Sequence, residues 1–283
     1  MTTALARVQH AVTAVTGLEK GSGKTTFLNL ALPVAREVGP AAVFTIGVDG
    51  GAKAREDGSA TPDIRVAPGD LVVTTEAFAR ASDARFELLE VLPSRSALGR
   101  LFLGRAVRAG AVTLVGSGSF VEMAEIIERV RGEGWVASVL VDGAVNRLTQ
   151  VSALGAARFA FTARIHPANL VKAAAKLQAL AALADLTAAE GSEHIWEGPL
   201  TPERLVQLPP PPAALSLGSF SDAFLEPPDL RRLLTRHEVR LRRPLDLLCF
   251  AIVLRDLSRD TFLETVGPSV ASRVLFNPYE VVA

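Results

Sequence analysis

The stretch TGLEKGSGKTT, Thr16 to Thr26, decides the fold. It follows the β-prone run HAVTAVTG. It precedes TTFLNLALPVARE, which reads as a helix with Pro33 as a kink or early stop. A strand, a glycine-rich turn and a helix opening at Gly23-Lys24-Thr25 together make a phosphate cradle. Backbone N–H groups of the turn point inward, and the helix N terminus adds positive potential. Gly17, Glu19, Lys20, Gly21, Ser22, Gly23, Lys24, Thr25 and Thr26 are the candidate nucleotide-binding residues. Lys24 is placed to reach the β- and γ-phosphates, and the Thr25 hydroxyl to ligate Mg²⁺.

The spacing departs from G-x-x-x-x-G-K-[ST]. Counting back from Lys24, the first glycine belongs at position 18, which is Leu18; Gly17 stands one residue early. The loop is closer to a variant form that carries an extra lysine upstream of the main one. The usual place of that lysine is Glu19 here, and Lys20 falls one residue late. This argues against Lys20 taking the usual role across a dimer. The alternative for the whole stretch is a glycine turn without a ligand.

Outward from the loop, strands and helices alternate. AAVFTIGVDGG reads as a buried strand ending at Asp49-Gly50-Gly51, and DIRVAPGDLVVTTE as a hairpin turned at Pro68-Gly69. RFELLEVL reads as a strand and ALGRLFLGRAVRAG as a helix. AVTLVGSGS is a strand running into a turn, after which Ser119 and Glu122 fit a capping box. Met123, Ile126, Ile127 and Val130 then fall on one helical face. WVASVLVDGA and ARFAFTARI are further strands, and NLVKAAAKLQALAALADL is a long helix. Several strands are continuous apolar runs. The expectation is an α/β fold of the P-loop NTPase type, a mainly parallel sheet with helices on both faces, over residues 1–190. A smaller α/β unit is expected over 191–283, around the proline-rich LPPPPAAL (Leu208–Leu215).

Hydrolysis of a nucleotide needs acids that hold Mg²⁺ and orient water. Asp142 closes the apolar run VASVLVD, and Asp49 closes VFTIGVD. With Lys24 they are the candidate catalytic residues, and with Thr25 the candidate Mg²⁺ ligands. Strand ends of a parallel sheet are where ligands gather. The alternative for each acid is an Asp-Gly turn. Gly116–Ser119 follows a strand and opens a helix, so it either lines the same cleft or only caps that helix. Asn146 and Arg147 lie close to Asp142 in sequence.

Composition narrows the rest. The 283 residues include 30 Lys plus Arg and 30 Asp plus Glu, so net charge draws the chain toward neither nucleic acid nor an anionic membrane. RRLLTRHEVRLRR (Arg231–Arg243) is basic without interleaved aromatics and reads as a solvated face. The single cysteine, Cys249, excludes an internal disulfide and reads as a buried thiol; four scattered histidines give no zinc spacing. The N terminus lacks the pattern of a signal peptide, and no apolar run is long enough to span a bilayer, so a cytoplasmic location is expected. Without an N-K-x-D guanine-reading motif, ATP is favoured over GTP.

Taken in order, VTGLEKGSGKTTFLN, FTIGVDG, IRVAPGDLVVTTEA, AVTLVGSGS, VLVDGAVNR and LFNPYE resemble the ATP-binding subunit of the lysine 5,6-aminomutase reactivase. The resemblance covers most of the first 190 residues. It implies a P-loop ATPase that binds ATP and Mg²⁺. Its implied partners are a coenzyme-B12-dependent aminomutase and a second reactivase subunit, and homodimers are common for this loop type. Such a reactivase uses ATP to open the mutase and release damaged cobalamin. Carried over by position, Lys24, Thr25 and Thr26 bind phosphate and Mg²⁺, with Asp49 and Asp142 as acidic partners. Gly21-Ser22 stands where the family's loop often has asparagine or valine. Two other readings share the fold: a small-molecule kinase or dethiobiotin-synthetase-like ligase, and a nucleotide-binding module without turnover.

Overall fold

In a computed structural model, residues 5–49, 63–143 and 157–276 are described, with only the backbone at Val48, Asp49 and Phe120. The chain divides into two compact units, Met1–Thr162 and Ala163–Ala283.

The first unit is built on strands β1 (Val12–Gly17), β2 (Ala41–Thr45), β3 (Val48–Asp49), β4 (Ile64–Val66), β5 (Leu71–Thr75), β6 (Arg85–Ser96), β7 (Gly99–Arg108), β8 (Gly110–Val112), β9 (Leu114–Val115), β10 (Ser138–Gly143) and β11 (Ala157–Ile165). Helices α1 (Lys24–Arg36), α2 (Glu76–Ala81) and α3 (Phe120–Gly132) join them. The main sheet runs β11-β1-β10-β2-β5-β7-β6. Its β11, β1, β10, β2 and β5 pair in parallel, and β7 and β6 add antiparallel. The molecule is therefore α/β, with a large and mostly parallel mixed sheet. β1, β2, β5 and β10 are buried at every position, as central strands covered on both faces must be.

Helix α1 buries Phe27, Leu28, Ala31, Leu32 and Ala35. It passes through Pro33 and ends at Arg36, so the expected early stop does not occur. Burial of Leu32 and Ala35 on either side of Pro33 offsets the lost hydrogen bond, a cost of about 3 kcal/mol in an unsupported helix. The last turn is tied down by Arg36, whose guanidinium donates to the buried Asp70 carboxylate at 2.5–3.1 Å. Asp70 also accepts from the Ala67 N–H at 2.8 Å, closing the turn that leads into β5.

Three sequence expectations are corrected here. ALGRLFLGRAVRAG is not a helix; most of it is β7, paired with both β5 and β6. Helix propensities there differ by tenths of a kcal/mol per residue, whereas burying Leu101, Phe102 and Leu103 gives about 1.5–3 kcal/mol each. The turn at Pro68-Gly69 exists, with Gly69 at φ 95, but its arms do not form a hairpin. β4 pairs with β8, while β5 joins the main sheet between β2 and β7. The capping box is half made: Ser119 Oγ accepts from the Glu122 N–H at 3.3 Å, but the Glu122 carboxylate accepts from the Ser94 N–H at 3.2 Å. The apolar face of α3 holds as read, with Met123, Ile126, Ile127 and Val130 buried.

The second unit carries α4 (Leu170–Ala184), β12 (His194–Ile195), β13 (Ala214–Ser219), α5 (Pro227–Arg236), β14 (Glu238–Arg243), β15 (Asp246–Leu254), α6 (Arg259–Val266), α7 (Pro268–Ala271) and β16 (Val274–Phe276). β12-β13-β14 form a small parallel sheet, and β15 and β16 pair in parallel. The Gln178 amide of α4 donates to the Thr265 and Val266 carbonyls at the end of α6, satisfying groups the helix leaves open. The basic stretch Arg231–Arg243 is not one solvated face: Leu233, Val239 and Leu241 are buried within it. Cys249, the one cysteine of the sequence, is buried as expected. Among the described residues, no helix is long and apolar enough to cross a membrane.

The buried Glu193 accepts from the Glu190 and Gly191 N–H groups, both at 2.8 Å. These bonds, with the Arg240 guanidinium nearby, hold its pKa below the ordinary 4.5. A carboxylate depressed in the folded state gives stability that is complete above its unfolded pKa and lost as pH falls through the folded one. Glu193→Gln is therefore expected to flatten the acid limb of a melting-temperature profile below the ordinary pKa of 4.5. An unchanged limb would remove Glu193 as its source.

Candidate functional site

The turn between β1 and α1 explains its own spacing. A Cβ on Gly17 would stand 2.1 Å from Ser22 Oγ and 3.0 Å from the Glu19 carbonyl oxygen. Ser22 folds inward across Gly17, is 1% exposed, and its hydroxyl meets Thr162 Oγ1 at 2.7 Å. Gly17 is thus a glycine because Ser22 occupies the space above it. The one-residue displacement is absorbed inside the turn.

Gly21 holds φ 73 and Gly23 φ 96, with Ser22 between them at negative φ. Alternation of this kind builds concavities of backbone N–H groups that attract anions. Gly23 is the N-cap of α1 and supplies no side-chain hydrogen bond, and the first turn holds no acid. The N–H groups and positive end of a 13-residue helix are thereby left for another partner. Lys24, Thr25 and Thr26 form that first turn and are half-buried, while Glu19 and Lys20 are exposed.

Strand register brings Asp142 to this turn. Val15 stands beside Asp142, Asp142 beside Thr45, and Gly17 beside Thr162. Neighbours in register share a face, as do positions two apart on one strand. Asp142 therefore projects on the face that carries Thr162 and over which Ser22 folds. It is 0% exposed. Its carbonyl accepts from the Ile46 N–H at 3.2 Å and from Thr45 Oγ1 at 3.4 Å.

The segment after β9 reaches the same strand ends. The Gly116 N–H donates to the Gly47 carbonyl at 2.6 Å, and a Cβ on Gly116 would meet the Thr45 carbonyl oxygen at 2.1 Å. Only glycine passes here. Ser117 Oγ bonds the Ser119 carbonyl and N–H, so the GSGS turn is closed on itself before α3. Asp49 is placed differently from its sequence expectation. β2 ends at Thr45, and Asp49 lies in β3, opposite Leu114 of β9. Asn146 and Arg147 lie outside the described residues.

The ends of β1, β10 and β2 thus gather the Gly17–Thr26 turn, Asp142 and the Gly116 segment. Sequence reading missed Thr162 and the inward role of Ser22. The one local signal was a polar residue closing the apolar FAFT of β11. Two grooves lie elsewhere in the first unit. One, of about 620 Å³, runs along Arg80, Arg85 and Arg100. The other, of about 530 Å³, runs from Ser94 to Arg129 and borders Ser119. Among the described residues, no group of three or more His, Cys, Asp or Glu side chains could hold a metal ion by itself. Compared with known proteins, the chain matches no family model, and no curated protein or solved structure is significantly similar to it.

Proposed function

We infer that the chain is a P-loop ATPase that takes ATP and Mg²⁺ at the ends of β1 and β10. The observation that carries this reading is the helix α1 start: two left-handed glycines and an N terminus with no side-chain cap, beside a buried aspartate. The residues fit the ligand. The turn amides bind phosphate oxygens, the Lys24 ammonium offsets their charge, and the Thr25 hydroxyl and Asp142 carboxylate are oxygen donors of the type Mg²⁺ takes. When bound, Mg²⁺ neutralises charge on the β- and γ-phosphates. Asp142 would hold the metal or orient the attacking water, and Lys24 would stabilise the charge that develops.

On the sequence resemblance, the ATPase serves as the ATP-binding subunit of a reactivase for a coenzyme-B12-dependent lysine 5,6-aminomutase. It works with a second reactivase subunit in the cytoplasm. Phosphoryl transfer needs little from the protein beyond positioning and charge, and its energy can drive a two-state movement that a partner reads.

ATP hydrolysis by the purified chain, alone and with the aminomutase holding damaged cobalamin, tests this reading. The expected result is turnover that rises with the mutase and falls by about 10²-fold or more in Lys24→Ala. Turnover indifferent to the mutase would instead favour a metabolic kinase or ligase. That second reading draws on the groove bordering Ser119 at the start of α3, which offers room for a small substrate. Binding without hydrolysis under either condition would leave a nucleotide-binding module.

A further inference from the structure

We propose that Thr162 and Ser22 form a hydroxyl latch that positions the phosphate turn, an inference that rests on the nucleotide reading of that turn. Thr162 lies in β11, far from the turn in sequence, yet it grips the turn at both ends. Its carbonyl accepts from the Leu18 N–H at 2.9 Å, where the chain leaves β1. Its Oγ1 meets Ser22 Oγ at 2.7 Å, one residue before the αL glycine that starts α1.

Thr162 Oγ1 also reaches the Thr16 carbonyl, at 3.4 Å, and a carbonyl can only accept. A hydroxyl has one proton. Either hydroxyl can supply the proton of the 2.7 Å bond; with the Thr162 proton on the Thr16 carbonyl, Ser22 is the donor. Both hydroxyls are 1% exposed, so water does not replace either partner. The Ser22 hydroxyl is held against the sheet by this bond. Ser22 is thus a positioning residue: it fixes the turn between Gly21 and Gly23 in the shape that presents backbone amides.

The latch also accounts for the displaced glycine. Ser22 can reach Thr162 only by crossing Gly17, where any side chain would collide with it. Three residues are therefore coupled: Gly17 by its missing side chain, Ser22 and Thr162 by the hydrogen bond between their hydroxyls.

The test uses the full chain with Thr162→Val, Ser22→Ala, the double variant, and Thr162→Ser. Mg-ATP affinity is measured by calorimetric titration, hydrogen exchange at Leu18–Gly23 by mass spectrometry, and folding by thermal melt. Each hydroxyl deletion is expected to weaken ATP about tenfold, the effect of leaving one buried hydrogen-bonding group unpaired. Exchange across the turn should rise. The double variant should be no weaker than the worse single one, because both remove the same bond. Thr162→Ser should restore affinity. Thr162→Val with unchanged ATP affinity, in a wild-type protein that binds ATP, overturns the latch alone, even if exchange or melting temperature moves. Wild-type protein that binds no ATP overturns the nucleotide reading and this positioning role together.

Discussion

Asp142→Asn is expected to lower ATP hydrolysis by about 10²–10³-fold while leaving nucleotide binding nearly intact. Asp142 is wholly buried near the end of β10, between Val15 of β1 and Thr45 of β2. Asparagine keeps the side-chain size and can still hydrogen bond, so the strand end should fold. What it loses is the negative charge that attracts Mg²⁺ or a proton of the attacking water. The loss should fall on kcat, and on the gain in affinity that Mg²⁺ gives to ATP, because the proposed function assigns ground-state phosphate contacts to the turn amides and Lys24. Single-turnover hydrolysis with a parallel titration of ATP with and without Mg²⁺ separates these quantities. Unchanged hydrolysis would return Asp142 to the role of an Asp-Gly turn.

Gly17→Ala is expected to destabilise the chain by about 1–3 kcal/mol and to abolish high-affinity ATP binding. The new methyl would sit 2.1 Å from Ser22 Oγ, 3.2 Å from Ser22 Cβ and 3.0 Å from the Glu19 carbonyl oxygen. Ser22 cannot give way locally, because it is enclosed and bonded to Thr162. It must leave, and the turn must rebuild without the latch. Thermal melts should fall by about 2–4 °C for each kcal/mol lost. Adding Ser22→Gly removes two of the three close contacts, so the double variant should recover part of the melting temperature. It should not recover ATP affinity, since the latch stays absent. A Gly17→Ala protein that melts and binds ATP like wild type would contradict the packing described for the turn.

Much of this architecture was legible in the sequence because it rests on local pattern. VTAVTG, SVLVDG and ARFAFTARI are apolar runs bounded by polar or glycine residues, and each is a strand of the main sheet. The apolar spacing of Met123, Ile126, Ile127 and Val130 determined a helix face from residues that are neighbours in the chain. RDTFLETV forms α6 over its full length, capped by Ser258. The glycine-rich turn before α1 was legible for the same reason: a glycine pattern between a strand and a helix is contiguous.

The misread parts depend on residues remote in sequence. ALGRLFLGRAVRAG has the composition of a helix, and only pairing with β5 and β6 makes it β7. DIRVAPGDLVVTTE does turn at Gly69, but its arms find better partners in β8 and in β2 and β7 than in each other. Asp49 reads as the end of β2, yet the chain bends after Thr45 and pairs its next residues with β9.

The candidate site divides the same way. The sequence by itself determined a glycine-rich turn before a helix that starts Lys24-Thr25-Thr26, and an acid at the end of an apolar strand. Local chemistry suffices for that, because turn residues, caps and apolar runs act over a few neighbours. Only the tertiary structure decided that Asp142 shares a face with the turn, that Gly116 threads past Thr45, and that Gly17 is required by Ser22. Those facts are strand register and close approach. Both arise from tertiary packing, which brings together residues as far apart as Ser22 and Thr162, at a separation of 140. A single sequence carries no periodicity from which such a distance can be read.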